Sequence, residues 1–181
     1  MEGLYVEARV GARLKRYIVG SYQSDIIPLD RDSVLVAVIK PYLELAAPDA
    51  DPLDPKVAES EVVRIELPMA NGKVYCHAGK KVYVCNTLWR NRLSAAGQAR
   101  VKRFFDKSFK KAFRTYMDGF IEHQQMTKDE EQTYLKVKEG IAAFLMQYHI
   151  DFGERDITSL ARDWYRHRDR NEANRVSPLV F

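Results

Sequence analysis

The sequence predicts an α+β fold: an antiparallel sheet with short helices, followed by a three-helix C-terminal part that includes a long amphipathic basic helix. Before residue 90, apolar and polar residues alternate in several short segments, as they do in half-buried strands. From Ser94 onward, about 30 residues contain no proline and repeat apolar residues at helical spacing. We therefore expect a sheet region in residues 1–90 and a helical region in residues 91–181, either separate or joined in one compact unit.

The sheet region begins with an alternating segment that predicts a strand. Residues 4–10 place apolar side chains on one side and mostly polar ones on the other. Residues 12–23 carry apolar residues three and four positions apart, which favours a short helix. Residues 61–68 are rich in β-branched residues, so a second strand is expected there.

A second helix is expected in the sheet region after residue 33. Asp32 or Ser33 can cap its N-terminus, and the pattern extends to about Ala46. The segment is rich in β-branched residues, and Pro41 is expected to kink it. Residues 48–55 contain prolines and aspartates, which predicts an exposed loop.

Two segments rich in valine and tyrosine flank Ala78 and Gly79, and this arrangement predicts a β-hairpin. A turn at these residues places Cys76 opposite Lys81, and the sulfur atoms of Cys76 and Cys85 are then about 13 Å apart. That distance is too long for a disulfide, so we expect both thiols to be reduced and buried.

Composition and terminal sequence predict a folded cytoplasmic protein that has no membrane span. Hydrophobic residues make up 46% of the chain and charged residues 30%, which argues against global disorder. The longest apolar run, within residues 33–39, is far shorter than the roughly 20 residues of a spanning helix. The first ten residues alternate and include an acid at position 2, unlike a signal peptide.

The helical region is expected to contain three helices. Ser94 can cap the first, which at about 1.5 Å per residue would be roughly 45 Å long. Thr127 and Glu130 have the spacing of a capping box at the start of the second, and Asp156 can cap the third. The apolar face predicted for the second helix consists of Tyr134, Leu135, Ile141, Phe144, Leu145 and Tyr148.

Positive charge is concentrated at the start of the helical region. Residues 91–114 contain 8 basic residues and 1 acidic residue, whereas residues 115–163 contain 5 basic and 10 acidic residues. On a helical wheel the aromatic residues of the first helix occupy one side and predict a core face. The opposite side carries six cations: Arg100, Arg103, Lys107, Lys110, Lys111 and Arg114.

This basic face predicts binding to a polyanion, of which DNA is the favoured example. Lysines and arginines four positions apart repel each other by a few tenths of a kcal/mol per pair, so a solvated helix usually mixes charge signs. Two alternatives remain: the face meets acidic groups, either in residues 115–163 or on another subunit or protein, or it is simply solvated.

The third helix repeats the arrangement with arginine. Arg162, Arg166 and Arg170 recur every four residues, opposite an apolar face that contains Trp164. Two helices joined by a turn, with arginines on the second, have the outline of a helix-turn-helix, and these arginines are candidates for phosphate or base contacts. The alternative is that the arginines pair with Asp163 and with Asp169.

No catalytic, cofactor-binding or metal-binding motif is found in the sequence, so we expect a non-enzymatic DNA-binding protein without a cofactor. A second hypothesis is an assembly or scaffold protein, which would dock onto acidic partners or its own copies through the basic helix and an apolar tail. A third is an enzyme acting on nucleic acid through scattered residues. The apolar tail consists of Leu179, Val180 and Phe181.

Overall fold

The computed structural model confirms the α+β fold. It describes residues 5–28, 33–46, 58–67, 73–75, 81–83, 90–123 and 130–176. The chain divides into two compact units, residues 1–108 and 109–181, and the boundary between them falls inside the long helix.

The described residues contain seven strands and five α-helices. The strands are β1 (Tyr5–Arg9), β2 (Ile26–Ile27), β3 (Leu43–Ala46), β4 (Val62–Glu66), β5 (Lys73–Tyr75), β6 (Lys81–Tyr83) and β7 (Arg90–Leu93). The helices are α1 (Ala12–Tyr22), α2 (Val34–Ile39), α3 (Ala95–His123), α4 (Glu130–Gln147) and α5 (Glu154–Val176). None of these helices is long and apolar enough to cross a membrane.

The first unit contains a three-stranded sheet in the order β1–β4–β2. β1 runs antiparallel to β4 as expected, and the two-residue β2 runs parallel to β4. β3 pairs with β7, and β5 pairs with β6, both antiparallel. One face of the three-stranded sheet is buried and consists of Val6, Ala8, Ile27, Val63 and Ile65.

The helix predicted for residues 34–46 is much shorter than expected. Ser33 caps it as predicted, because its hydroxyl oxygen accepts a hydrogen bond from the Val36 amide at 3.2 Å. The α-helix ends at Ile39, and a short 3₁₀ turn containing Pro41 leads into β3. Proline lacks the amide that would continue the helix, and β3 finds hydrogen-bond partners in β7.

The predicted hairpin is present, but its register differs by one residue. Tyr75 pairs with Lys81, so the expectation that Cys76 would face Lys81 is wrong. A one-residue shift exchanges the two faces of a strand relative to its partner. Cys76 and Cys85 themselves lie outside the described residues.

α3 begins where the sequence predicts. The Ser94 hydroxyl oxygen accepts a hydrogen bond from the Gly97 amide at 3.2 Å, and the Ser94 carbonyl accepts one from Gln98. The centre of the predicted core face of α3 is confirmed, whereas Phe104, Ala112 and Tyr116 are only partly buried. Five apolar residues of this face are at most 2% exposed. They are Val101, Phe105, Phe109, Phe113 and Met117.

Gln98 of α3 bonds to the backbone of β1, an edge strand of the three-stranded sheet. Its side-chain amide donates to the carbonyl of Glu7 at 2.9 Å, and its side-chain oxygen accepts from the amide of Arg9 at 2.8 Å. A residue of a neighbouring parallel strand would bond to the same two backbone groups on either side of Ala8. The side chain thereby fixes the first turn of α3 to the sheet.

In the second unit, α4 buries only part of the face predicted for it. Ile141, Phe144 and Leu145 are buried as expected, but Tyr134 and Leu135 are 40% and 54% exposed. Leu135 lies about 120° around the helix from Ile141 and therefore points away from the buried face. The proposed cap Thr127 lies outside the described residues.

α5 begins two residues before the predicted cap. Asp156 lies in the first turn, and its carboxylate accepts a hydrogen bond from the Gly153 amide at 3.0 Å. This is the reciprocal half of a capping box, so Asp156 stabilises the helix start from inside the helix. The predicted apolar face is confirmed, with Leu160, Ala161 and Trp164 buried.

Candidate nucleic-acid interface

Four of the six predicted cations of α3 form an exposed face, which we call the α3 basic face. It consists of Arg100, Arg103, Lys107 and Lys111, all of them exposed. Within the part of the chain that the structure describes, none of the four has a hydrogen-bond or ion-pair partner. These four cations therefore lack compensation by described acidic groups.

The spacing within the α3 basic face gives it a regular shape. Successive members are three or four residues apart, so the face covers about 16 Å along the helix. Arg103 and Lys107 are neighbours of like charge, as are Lys107 and Lys111. Asp106 is on the flank of the helix and has a partner of its own. The face is therefore uniformly positive.

The other two predicted cations are already engaged. Arg114 binds the Asp163 carboxylate: its Nη2 is 3.0 Å from Oδ1, and its Nε is 3.2 Å from Oδ2. The side chains are 29% and 31% exposed, so this pair is partly shielded from solvent. Lys110 is exposed but takes part in an interaction. We therefore leave both residues out of the α3 basic face.

α5 carries a second row of cations, which we call the α5 arginine row. The predicted members Arg162, Arg166 and Arg170 are exposed, and none has a partner among the described residues. Arg155 joins them, because seven residues before Arg162 is nearly two helical turns. The sequence analysis missed Arg155 because it placed the start of the helix after this residue.

The expected alternative of arginine–aspartate pairing is realised by a different arginine. Asp163 binds Arg114 of α3 and not one of the arginines in the α5 row. A second α3–α5 bond within the same unit joins the Trp164 indole nitrogen to Asp118 Oδ1 at 3.2 Å. These two bonds fix α5 with its arginine row facing outward.

The connection between α4 and α5 differs from that of a compact helix-turn-helix. Residues 148–153 separate the two helices, whereas the compact motif uses a turn of about three or four residues. A role for the α5 arginine row in binding nucleic acid is therefore supported by its exposure and charge, and not by a helix-turn-helix geometry.

The remaining predicted site lies in the C-terminal tail. Leu179, Val180 and Phe181 fall outside the described residues. Across the described ranges, no three histidine, cysteine, aspartate or glutamate side chains lie close enough together to hold a metal ion.

Comparison with known proteins yields no relative of this chain. No protein family, no curated protein and no solved structure matches it. A proposal for its function therefore rests on the exposure and charge of the α3 basic face and the α5 arginine row.

Proposed function

We propose that this protein binds DNA without acting on it as an enzyme, and that the α3 basic face contacts the phosphates. The observation that carries the proposal is the run of Arg103, Lys107 and Lys111, which are exposed, four residues apart and unpartnered among the described residues. Phosphates of a DNA backbone would neutralise these cations and so relieve their mutual repulsion, which favours binding.

The α5 arginine row supplies further phosphate contacts in this proposal. An arginine guanidinium donates to two phosphate oxygens at once, which favours it over lysine for orienting a backbone.

A binding titration across salt concentrations tests the proposal. Each phosphate contact made by the α3 basic face should add about 0.9 to the magnitude of the slope of log affinity against log salt. Fluorescence anisotropy with a labelled duplex, from about 50 to 300 mM salt, measures this slope. A slope of about −3.6 or steeper supports phosphate binding by four or more cations.

Charge-removing substitutions at matched positions locate the interface. Lys107→Gln should weaken binding and reduce the magnitude of the slope by about 0.9. Lys102→Gln is the control, because Lys102 is also exposed on α3 but lies about 140° around the helix from Lys107. Equal effects of the two substitutions, or no binding below about 100 μM at low salt, contradict the proposal.

A further inference from the structure

Two tyrosines of the second unit form an aromatic surface beside the α5 arginine row. Tyr134 of α4 is 40% exposed, and the Lys138 amine lies 4.9 Å from the centre of its ring. Tyr165 of α5 is half-buried, and the Arg168 guanidinium carbon lies 5.2 Å from its ring centre. Each ring therefore has a cation over one of its faces.

Helices α4 and α5, which carry the two rings, pack against each other. Partial burial raises the pKa of Tyr165 above its ordinary value, Arg168 opposes this shift, and Tyr134 adds to it. Beneath the surface, the ring of Trp164 contacts Tyr165 edge-on with 5.1 Å between centres, and Trp164 is only 1% exposed. The buried tryptophan holds the Tyr165 ring in place.

Charge is arranged in opposite ways on the two sides of this aromatic surface. Arg162 precedes Tyr165 by three residues, so the two are neighbours on α5 at the side of the arginine row. Asp169 follows Tyr165 by four residues, and Glu154 binds Lys138 at 2.9 Å near Tyr134. A phosphate is attracted towards the arginines and repelled by the carboxylates.

We propose that Tyr134, Tyr165, Arg162 and Arg166, together named the α4–α5 platform, bind single-stranded nucleic acid. Phosphates lie on the arginines and base faces stack on the tyrosines. This inference rests on the proposed nucleic-acid binding and assigns unpaired strands to the platform. In a duplex the base faces are covered by neighbouring bases, whereas in a single strand they are accessible to aromatic side chains.

The test compares strands that have the same phosphates with and without bases. Fluorescence anisotropy is measured with an oligothymidylate of about twelve nucleotides, an abasic strand of equal length, and a matching duplex. Because one stacked base contributes about five-fold or more in affinity, the oligothymidylate should bind at least that much more tightly than the abasic strand. The affinity for an oligouridylate of equal length, compared with that for the oligothymidylate, shows whether the platform prefers RNA or DNA single strands.

Substitutions at Tyr134 identify the stacking surface. Tyr134→Ser should lower affinity for the oligothymidylate about five-fold or more but leave abasic-strand binding and the salt slope unchanged, because a tyrosine neutralises no phosphate. Tyr134→Phe keeps the ring and should preserve affinity. Leu135→Ser is the matched control, since Leu135 is adjacent and 54% exposed. Circular dichroism checks that each variant is folded.

The outcomes separate this inference from the proposed function. Equal affinity for the abasic strand and the oligothymidylate, or equal losses in Tyr134→Ser and Leu135→Ser, overturns the platform. If the duplex still binds in a way that depends on Lys107, DNA binding stands and only the platform is rejected. If no strand binds at low salt, both proposals fail.

Discussion

Arg114 of α3 donates hydrogen bonds from two nitrogen atoms to the carboxylate of Asp163 on α5, at 3.0 and 3.2 Å. Because of this pair, Arg114 is not part of the α3 basic face, although the sequence placed it among the six cations on that side of the helix. The sequence left open whether some of the six cations meet acidic groups in residues 115–163. Arg114 does.

Releasing Arg114 should therefore strengthen DNA binding. In Asp163→Asn the guanidinium loses its counter-charge, and we expect a slope of log affinity against log salt that is steeper by about 0.9. The pair is partly exposed, so the same change should cost about 1 kcal/mol or less of unfolding free energy. Anisotropy and urea unfolding measure these effects. If Arg114→Gln weakens binding in the wild-type background as strongly as Lys107→Gln does, Arg114 already contacts DNA.

Two glycines of α3 should respond in opposite ways to alanine. A Cβ atom on Gly97 would lie 2.7 Å from Cβ of Tyr42 and 3.2 Å from Cδ2 of Leu93, so Gly97→Ala should cost about 1–3 kcal/mol. Nothing lies within 4 Å of a Cβ on Gly119, so Gly119→Ala should stabilise by about 0.5–1 kcal/mol. Thermal unfolding of the two variants compares them directly, and a stabilised Gly97→Ala would contradict the close approach.

Gln98 should be required for the stability of the first unit. Gln98→Ala removes two hydrogen bonds to the β1 backbone and should cost about 1–2 kcal/mol in urea unfolding. Gln98→Glu can still accept from Arg9, but its ionised carboxylate cannot donate to the Glu7 carbonyl. The stability deficit of Gln98→Glu relative to the wild type should therefore shrink towards about pH 4, where the carboxyl group becomes protonated and can donate. A deficit independent of pH would argue against this bonding.

The Lys138–Glu154 pair should contribute stability only within a defined pH range. The hydrogen bond and charge of Lys138 lower the pKa of Glu154 below its ordinary 4.5. Stabilisation through Glu154 is thus present above 4.5 and is lost as pH falls through the lowered pKa. The hydrogen bond to Glu154 raises the pKa of Lys138 above 10.5, so stabilisation through Lys138 is lost only as pH rises through the raised pKa.

Carboxyl-detected NMR titration can measure this effect. In Lys138→Met the pKa of Glu154 should return towards its ordinary value, whereas in Lys136→Met it should stay lowered. The two lysines lie on the same helix, and it is the hydrogen bond and charge of Lys138 that lower the pKa of Glu154. An unchanged pKa of Glu154 in Lys138→Met would assign the shift to another cause.

Local patterns predicted the elements that have strong periodicity. β1 was visible from its alternation, and α3 from its Ser94 cap, its aromatic face and its lack of proline. Three short strands were not predicted, because β2 has only two residues, β7 is mostly polar, and β3 follows a helical pattern. Their extended conformation is determined by partners distant in sequence, as in the pairing of β3 with β7.

For the candidate site, helix periodicity predicted the positions of the cations but not their partners. Arg103 and Lys107 are exposed on α3, as the helical wheel indicates. The pairing of Arg114 with Asp163 joins residues 49 positions apart, and only tertiary packing brings them together. The aromatic surface of Tyr134 and Tyr165 was missed for the same reason, since the sequence pattern assigned Tyr134 to a buried face.

The side chain of Gln98 also bears on how the protein behaves when copies of it crowd together. An open strand edge is a template on which another chain can add a strand and begin a fibrillar or amorphous aggregate. Because the glutamine already bonds to the Glu7 carbonyl and the Arg9 amide, these two groups of β1 cannot pair with an added strand. The Gln98 side chain thus protects this strand edge from aggregation. If it is removed, we expect aggregation to increase first when the protein is concentrated or stored.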